Sequence, residues 1–457
     1  MSKGNKMKTN VKTKAPVAYT HEGAVVRSIT PIQELRRSVL ATLLWEDTFY
    51  ESGVDIGKRI QDTAAKVKAE EVAKLAIEAR TTGLRHAPLL LLLNLIKRGG
   101  KGVADTIADV IRRPDEITEL VSLYWKFNPG KDLSAQMKKG IAKAFNKFNE
   151  YSLAKYNRDG DVKLRDALFL SHAKPKDEAQ AVIFKKLVDN DLAVPDTWEV
   201  QLSGGADKKA TFERLITEGK LGYMALLRNL RNMELNSVDR KIVREAIRQG
   251  DKSGYVLPFR YLAAAKAAPT YTGELEEALL KSLEQSPKLK GRTILIVDVS
   301  GSMQSALSSK SDMTREDSAS SLAIILREVC DEVHIYANGT TTKKVRNERG
   351  VALRDAIKNS GAGHSGIELT PATKFAKSDL TGKELANGKY ADRVIVITDG
   401  QDTGHGINAP ANALLLGNKN YIINVASYKN GIGYGPWIEI DGFSESVVRY
   451  ITEVERD

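Results

Sequence analysis

Hard oxygen donors stand at alternate positions directly after a short apolar run in the last third of the chain. Asp298, Ser300 and Ser302 follow the apolar residues 293–297. Such a run is typical of a buried parallel strand, so one carboxylate and two hydroxyls should emerge together where the strand becomes a loop. Carboxylate and hydroxyl oxygens are the ligands that Mg²⁺ and similar ions prefer. The pattern therefore predicts a divalent-cation site, with Mg²⁺ as the expected ion.

Two further segments could complete this site. Asp399 follows a second apolar run at 394–398. A loop at 361–371 offers another hydroxyl, for which Ser365 is our first choice and Thr370 our second. The alternative is that these side chains only cap helices and form turns. We favour the metal site, because the two acidic groups each follow the pattern of a buried strand.

Strands and helices alternate after residue 290, which predicts a doubly wound, Rossmann-like parallel sheet. The strand candidates are 293–298, 332–337, 393–398 and 421–427, with helices between them and a last helix at 445–454. Such sheets bind ligands at the carboxyl ends of their strands, where Asp298 and Asp399 both fall. Because hydroxyls leave the ion short of negative charge, we expect an external carboxylate or phosphate to complete its coordination.

The residues from about 28 to 286 read as one helix after another. Pro88 begins the apolar segment 89–96 and Gly99 ends it; with no polar face, this helix should be enclosed by others. Further helices are expected at 103–112, 114–125, 134–156, 164–172, 177–189, 207–218, 223–233, 237–249, 258–267 and 273–285. The pattern favours an α-solenoid of HEAT-like repeats. We divide the chain into a disordered basic tail (1–18), a helical domain (19–286) and an α/β domain (290–457), with a linker at 285–291.

The positive charge lies almost entirely before the predicted metal site. The net charge is +11, and residues 1–289 hold 49 Lys and Arg against 37 Asp and Glu. Residues 290–457 hold 20 against 21, so the second part is close to neutral. This asymmetry favours a polyanion, above all nucleic acid, as partner of the first part, although solubility alone could also explain it.

Composition restricts the class of protein. An apolar fraction of 42% with 28% charged residues is ordinary for a soluble globular protein. The single cysteine, Cys330, excludes an intrachain disulfide, and we expect it to be buried on a helix. The start of the chain lacks a signal-peptide pattern, and the apolar segment 89–96 is too short to span a bilayer. We expect a cytoplasmic monomer without membrane contact.

The second half resembles the von Willebrand factor A family over roughly 290–457. The resemblance rests on Asp298, Ser300 and Ser302 after one strand and Asp399 after another. It implies a metal site at the sheet edge that receives an acidic group from a protein partner. The family usually has Gly-Gly-Thr in the second loop, where this chain has Gly363-His364-Ser365; we expect His364 to face solvent.

A helical repeat domain followed by this α/β domain resembles the Ro ribonucleoprotein autoantigen family, whose helical part is the TROVE module. Four segments carry the resemblance: 164–175, which ends in Leu-Ser-His-Ala-Lys-Pro; 224–230, which contains Leu-Leu-Arg-Asn-Leu; 256–259; and 441–443. The resemblance implies that the helices close into a ring with a basic inner rim. It also implies single-stranded ends of misfolded RNA in the hole and small noncoding Y RNA on the outer face.

The resemblance implies an RNA-binding role for Lys155, Arg158 and His172, and we add Lys174 from the same Leu-Ser-His-Ala-Lys-Pro segment. Asp159 stands where the family tends to be basic, a departure that could change the RNA preferred.

The residues themselves suggest a second basic surface. Arg228 and Arg231 lie one turn apart, and a basic group follows at Arg240, Lys241, Arg244 and Arg248. Cations spread over helix surfaces contact phosphates without reading bases. The alternative for each is a solvated helix face with acidic partners, such as Glu245 beside Arg244.

Motifs for catalysis are missing from the sequence, which has no phosphate-binding loop, no His-Glu-x-x-His and no Gly-x-Ser-x-Gly. We therefore expect an RNA-binding scaffold with a metal-binding domain rather than an enzyme. The alternative is a metal-dependent adhesion or assembly module without RNA function. A metal-dependent hydrolase is the third and least favoured possibility.

Overall fold

The structure, a computed structural model, describes residues 18–19, 25–26, 30–40, 53–81, 83–251, 256, 258–284, 288–307, 311–426, 436–442, 451 and 455. The predicted basic tail lies outside the described residues except for Ala18. The predicted last helix does so as well, except for Ile451.

The first part of the chain is almost entirely helical, as predicted. Two short antiparallel strands, β1 (Ala18–Tyr19) and β2 (Val25–Val26), were not expected. The helices that follow are α1 (Pro31–Leu40), α2 (Gly53–Ala64), α3 (Ala69–Thr81), α4 (His86–Arg98), α5 (Val103–Val110), α6 (Pro114–Phe127), α7 (Ala135–Phe145), α8 (Glu150–Tyr156), α9 (Leu164–Ser171), α10 (Glu178–Asp189), α11 (Trp198–Ser203), α12 (Lys208–Thr217), α13 (Tyr223–Leu235), α14 (Arg240–Arg248), α15 (Pro258–Ala267) and α16 (Thr272–Leu283).

Helix α4 is enclosed by its neighbours, which confirms the expectation from its uniform apolarity. Every residue from Ala87 to Ile96 is buried, and the helix contacts α2, α3, α5 and α6. Gly99 ends it with a positive φ of 68°, a backbone conformation that a residue with a Cβ adopts only at a cost.

The single helix predicted at 134–156 is wrong, because the chain forms two helices there. Helix α7 ends at Phe145, and α8 begins after Asn149. The Asn149 carboxamide oxygen accepts a hydrogen bond from the Ser152 amide at 2.9 Å, which satisfies a backbone donor at the start of a new helix. The same capping chemistry at Thr197 begins α11, a helix that periodicity did not reveal.

The second part is an α/β domain with a six-stranded sheet. Its elements are β3 (Leu289–Asp298), α17 (Arg315–Val329), β4 (Cys330–Asn338), β5 (Thr342–Lys344), α18 (Gly350–Lys358), α19 (Leu369–Asp379), β6 (Ala391–Thr398), β7 (Gly417–Asn424) and β8 (Ile438–Asp441). The strand order is β5-β4-β3-β6-β7-β8, and every pairing is parallel except that of the edge strand β5 with β4. This confirms the predicted doubly wound sheet.

Two details of the α/β domain differ from the prediction. Cys330 is buried as expected, but it begins β4 and does not lie on a helix, since α17 ends at Val329. Strand β3 begins at Leu289, inside the segment assigned to the linker. Leu289 pairs with Cys330 on β4, so sheet pairing extends the strand beyond its apolar run.

Chain order reverses between the neighbouring strands β3 and β6, because the chain passes from β3 to β4 on one side and later returns to β6 on the other. The carboxyl ends of β3 and β6 therefore form the topological switch point of the sheet. Helix α17 packs on one face, together with Leu295 and Val297, and α19 packs on the other, with Ile294 and Ile296.

The helical part contacts the α/β domain at both of its ends. Helices α15 and α16 pack against α17, and the second half of the helical part shares one apolar core with a face of the sheet. At the other end, α1 lies against β8, where the Arg37 guanidinium binds the Glu439 carboxylate at 2.7 Å. These contacts join α1, near the start of the described residues, to β8, near their end. Among the described residues, no helix combines the length and apolarity needed to cross a bilayer.

Candidate functional site

The first predicted metal-binding loop is a buried polar cluster at the end of β3. The Asp298 carboxylate accepts a hydrogen bond from the Ser300 amide at 2.8 Å and another from the Thr398 hydroxyl at 2.6 Å. The Ser300 and Ser302 hydroxyl oxygens lie 3.2 Å apart. One carboxylate and two hydroxyls thus come together after the strand, as the alternate spacing predicted.

Asp399 joins this cluster because β6 pairs directly with β3. Both carboxyl groups are fully buried, and burial together with the charge of Asp399 raises the pKa of Asp298 to about 7. Burial is the larger cause, since a carboxylate withdrawn from water loses its hydration. Two acidic groups share one enclosed edge of the sheet, and either a proton on Asp298 or a cation beside the pair would relieve their repulsion.

The raised pKa of Asp298 predicts a pH dependence of stability. The folded state keeps this proton up to about pH 7, whereas the unfolded chain releases it near the ordinary aspartate pKa of 3.8. The stabilisation is complete below pH 3.8 and is lost as the pH rises through 7. Between pH 5 and 8 this one group should lower the free energy of unfolding by about 2–3 kcal/mol.

Urea unfolding in the presence of a chelator, at about pH 5 and at about pH 8, would measure this loss of stability. In Asp298→Asn the free energy of unfolding should fall by about 2–3 kcal/mol less over the same pH range, since the amide does not titrate. Equal pH dependence in the two proteins would contradict the assignment.

The second predicted loop lies against the first, but its hydroxyls bind elsewhere. The Gly301 amide donates to the His364 carbonyl at 2.6 Å. The Ser365 hydroxyl lies 2.7 Å from the Thr340 hydroxyl, and the buried Thr370 hydroxyl donates to the Ala409 carbonyl at 2.7 Å. The structure thus brings Asp298, Ser300, Ser302 and Asp399 together and directs Ser365 and Thr370 to other partners.

His364 is exposed, as expected, but its ring also holds the first loop. Nδ1 lies 2.6 Å from the Val299 carbonyl oxygen, next to Asp298. A further residue that sequence reasoning missed, Asp402, fixes the second loop. Its carboxylate accepts hydrogen bonds from the amides of Leu369 and Gly404 at 2.9 and 2.7 Å.

Arg315 is the most important residue at this edge that the sequence analysis missed. Its guanidinium donates to the Asp399 carboxylate at 2.9 Å, and both side chains are shielded from solvent, at 1% and 0% exposed. Arg315 is the first residue of α17, after the N-cap Thr314. A cation in the first turn opposes the helix dipole, so an arginine after a capping threonine was a usable sign of a specific acidic partner.

The donor set suits a hard divalent ion in type. Asp298, Ser300 and Ser302 offer the oxygen ligands that Mg²⁺ prefers. Within the described part of the chain, no group of three or more His, Cys, Asp or Glu residues could hold a metal, so the hydroxyls would have to contribute. The Asp399 carboxylate already binds a cation, Arg315, from within the chain.

The first predicted RNA-binding residues lie around α8 and α9. The ammonium group of Lys155 lies 5.8 Å from the centre of the Tyr156 ring, and the guanidinium of Arg113 lies over the same ring at 4.4 Å. Arg158 is exposed just beyond α8, close enough for its charge to act on Tyr156. Cations therefore gather around an aromatic ring, a combination that suits nucleic acid.

His172 and Lys174 are exposed at the end of α9. His172 adopts the left-handed conformation at the helix C-cap, with φ of 51°. This conformation ends the helix and leaves the imidazole at the surface. The motif residue thus has a structural role whether or not it binds RNA.

The basic helices α13 and α14 differ in how their charges are used. Arg228 and Arg231 on α13 are exposed, and neither has an acidic partner within 4.0 Å among the described residues. On α14, Arg244 and Arg248 both bind Glu274, each at 3.3 Å. Much of the α14 charge is therefore neutralised, while α13 keeps its positive potential.

Arg260 on α15 adds a cation that the sequence analysis did not include. Desolvation by the surrounding protein lowers the pKa of Arg260, and the neighbouring charge of Arg228 lowers it further, although solvent still reaches the side chain. Arg228 and Arg260 therefore lie near enough for one charge to act on the other, and both side chains reach the surface. The position of Arg260, directly after the segment 256–259, was the available signal.

A comparison with family models matches residues 189–268 to the TROVE domain. The matched segment runs from the end of α10 to α15 and includes Arg228, Arg231 and Arg260. The resemblance seen in the sequence motifs of the helical half is thereby confirmed.

A comparison with solved structures finds the crystal structure of the Deinococcus radiodurans RO (RSR) protein. The sequences are 18% identical, the TM-score is 0.55, and the match covers 91% of this chain and 97% of that one. The match confirms the fold, a helical repeat part followed by an α/β domain. Together with the match to the TROVE domain model it supports the resemblance to the Ro family.

Proposed function

We propose that this chain is an RNA-binding scaffold that holds small noncoding RNA of the Y type and the single-stranded ends of misfolded RNA. The observation that carries the proposal is the exposed basic face of α13, where Arg228 and Arg231 lie within the segment matched to the TROVE domain and have no acidic partner within 4.0 Å among the described residues. Exposed cations that no acidic side chain neutralises attract phosphates, and Arg260 on α15 adds to this surface.

A second basic surface supports the same function. We assign contacts with structured RNA to Lys155 and Arg158 around Tyr156, and to His172 and Lys174 after α9. The excess of positive charge in residues 1–289 supplies a longer-range attraction for RNA. Contacts of this kind release counterions and read little base sequence, so affinity should depend steeply on salt.

We propose a second role for the α/β domain, the binding of Mg²⁺ and through it an acidic group of a protein partner. Asp298, Ser300 and Ser302 would hold the ion, with Asp399 behind them; Ser365 would contribute only after leaving Thr340. The buried position of the two carboxylates at the topological switch point supports this role. An ion bound there would supply positive charge to a ligand that arrives at the sheet edge.

RNA binding can be tested by fluorescence anisotropy of the full chain with a hairpin RNA over a range of salt concentrations. Combined Lys155→Glu and Arg158→Glu should weaken hairpin binding by about tenfold or more and flatten the salt dependence, since two phosphate contacts are lost. The matched control is Lys343→Glu with Arg346→Glu, two exposed cations of the near-neutral α/β domain.

The proposal would be overturned if the wild-type protein bound RNA without salt dependence or not at all. That result would favour an assembly module that works through its metal site alone. If both double variants lost affinity equally, net charge would explain the binding and the assigned surface would be wrong.

A further inference from the structure

The α/β domain contains its own cation at the edge of the sheet where a metal ion is expected. The Arg315 guanidinium donates to the Asp399 carboxylate at 2.9 Å, with both side chains shielded from solvent. The Arg315 amide donates to the Ser305 carbonyl at 3.0 Å, in the segment that follows Ser300 and Ser302. The arginine is thus anchored to the loop that carries the predicted metal ligands.

Burying an arginine in the first turn of a helix costs free energy for two reasons. The guanidinium loses its hydration, and its charge interacts unfavourably with the helix dipole. The feature that offsets this cost is the pair of buried carboxyl groups, Asp298 and Asp399, held by the neighbouring strands β3 and β6. With no positive charge nearby, ionising both groups in this interior would set two negative charges against each other where water screens them poorly. Arg315 supplies that charge from within the chain.

We propose that Arg315 is a built-in competitor of the metal ion, so that a divalent cation binds fully only when the guanidinium withdraws from Asp399. The inference rests on the metal site proposed above and concerns what controls its occupancy. The site would then have two states, one in which the Arg315 guanidinium binds Asp399 and one in which a divalent ion takes its place.

Competition follows from the chemistry of the two cations. A guanidinium has only donors, so it cannot become a ligand of the metal. A divalent ion beside the same carboxylate would face a fixed positive charge where water screens poorly. The two cations therefore exclude each other unless Arg315 turns away. A partner that brings its own carboxylate to the metal would favour the second state.

The proposal can be tested by calorimetric titration of the full chain with Mg²⁺ alone, together with melting temperatures at increasing Mg²⁺. Wild-type protein should bind Mg²⁺ weakly, and Arg315→Met should bind it at least tenfold more tightly. The Tm of Arg315→Met should rise by several degrees when Mg²⁺ is added. Arg349→Met is the matched control, because it removes an exposed arginine bound to Glu328 and should leave the Kd for Mg²⁺ unchanged. Adding Asp298→Ala to Arg315→Met should abolish the gained binding.

The outcomes separate the two proposals. If Arg315→Met binds Mg²⁺ no better than wild type while wild type binds well, the site exists and competition is wrong. If neither the wild type nor Arg315→Met binds Mg²⁺, the metal site itself is refuted. The proposed RNA binding would not be affected by that result.

A variant that keeps the charge protects the test against misfolding. Arg315→Lys retains a cation and should keep the weak Mg²⁺ binding of the wild type. Arg315→Met with Asp399→Asn removes both partners and should restore the Tm lost in Asp399→Asn alone. An Arg315→Lys protein with strongly increased Mg²⁺ affinity, or a double variant no more stable than Asp399→Asn, would overturn the proposal.

Discussion

Reversing the charge of Arg228 and Arg260 together should weaken the binding of single-stranded RNA by about 25-fold or more at roughly 0.1 M salt. Each phosphate contact to a single strand adds about 0.7 to the slope of log affinity against log salt, so the loss of two contacts lowers the slope by about 1.4. Glutamates at these positions would also repel the RNA. Anisotropy of a labelled oligonucleotide measured over a salt series gives both the affinity and the slope.

The matched control for this prediction keeps the charge and changes the shape. Arg228→Lys with Arg260→Lys should retain most of the salt slope, because the phosphate contacts are electrostatic. Lys343→Glu with Arg346→Glu repeats the change of net charge on the α/β domain and should leave the affinity within a few-fold of wild type. A normal Tm would show that the helical part is still folded. Undiminished RNA affinity in the reversed variant would remove these arginines from the RNA surface.

The local sequence pattern was sufficient to predict the sheet and to predict that Asp298 and Asp399 lie close together at its edge. The apolar runs of β3 and β6 mark buried strands, and parallel strands end at a common edge, so Asp298 and Asp399 had to approach each other. The strands β5 and β8 were missed because they are short edge strands of three and four residues. Pairing with a neighbour determines such strands more than their own sequence does.

The side chains that decide the chemistry were harder to predict, because their partners are far away in sequence. Arg315 binds Asp399, 84 residues later, and Arg260 gains its importance from Arg228 on another helix. Arg248 appeared to belong to a basic surface until the structure showed it bound to Glu274. Net charge in a segment is readable from the sequence, but its neutralisation depends on which helices become neighbours.

Replacing Glu439 with glutamine should detach the first helix from the α/β domain. The ion pair of Glu439 with Arg37 joins β8 to α1 across 402 residues of sequence, and its side chains are only 12% and 3% exposed. Removing one partner of a buried ion pair weakens the compensation of the other charge, at a cost of up to about 3–5 kcal/mol. Hydrogen exchange of the α1 amides should report a fall of this order in their free energy of opening.

The neighbouring pair of Arg36 with Glu78 is the matched control for this contact. It has a comparable separation of 2.6 Å, but its side chains are 34% and 42% exposed and both lie within the helical part. Glu78→Gln should therefore change the opening of α1 by less than about 1 kcal/mol. If the Glu439 and Glu78 variants exchanged alike, the contact between α1 and β8 would not hold the two ends of the chain together. A selective effect of Glu439→Gln would show that the α/β domain closes the helical series, and RNA affinity in the same variant would then measure how far binding depends on that closure.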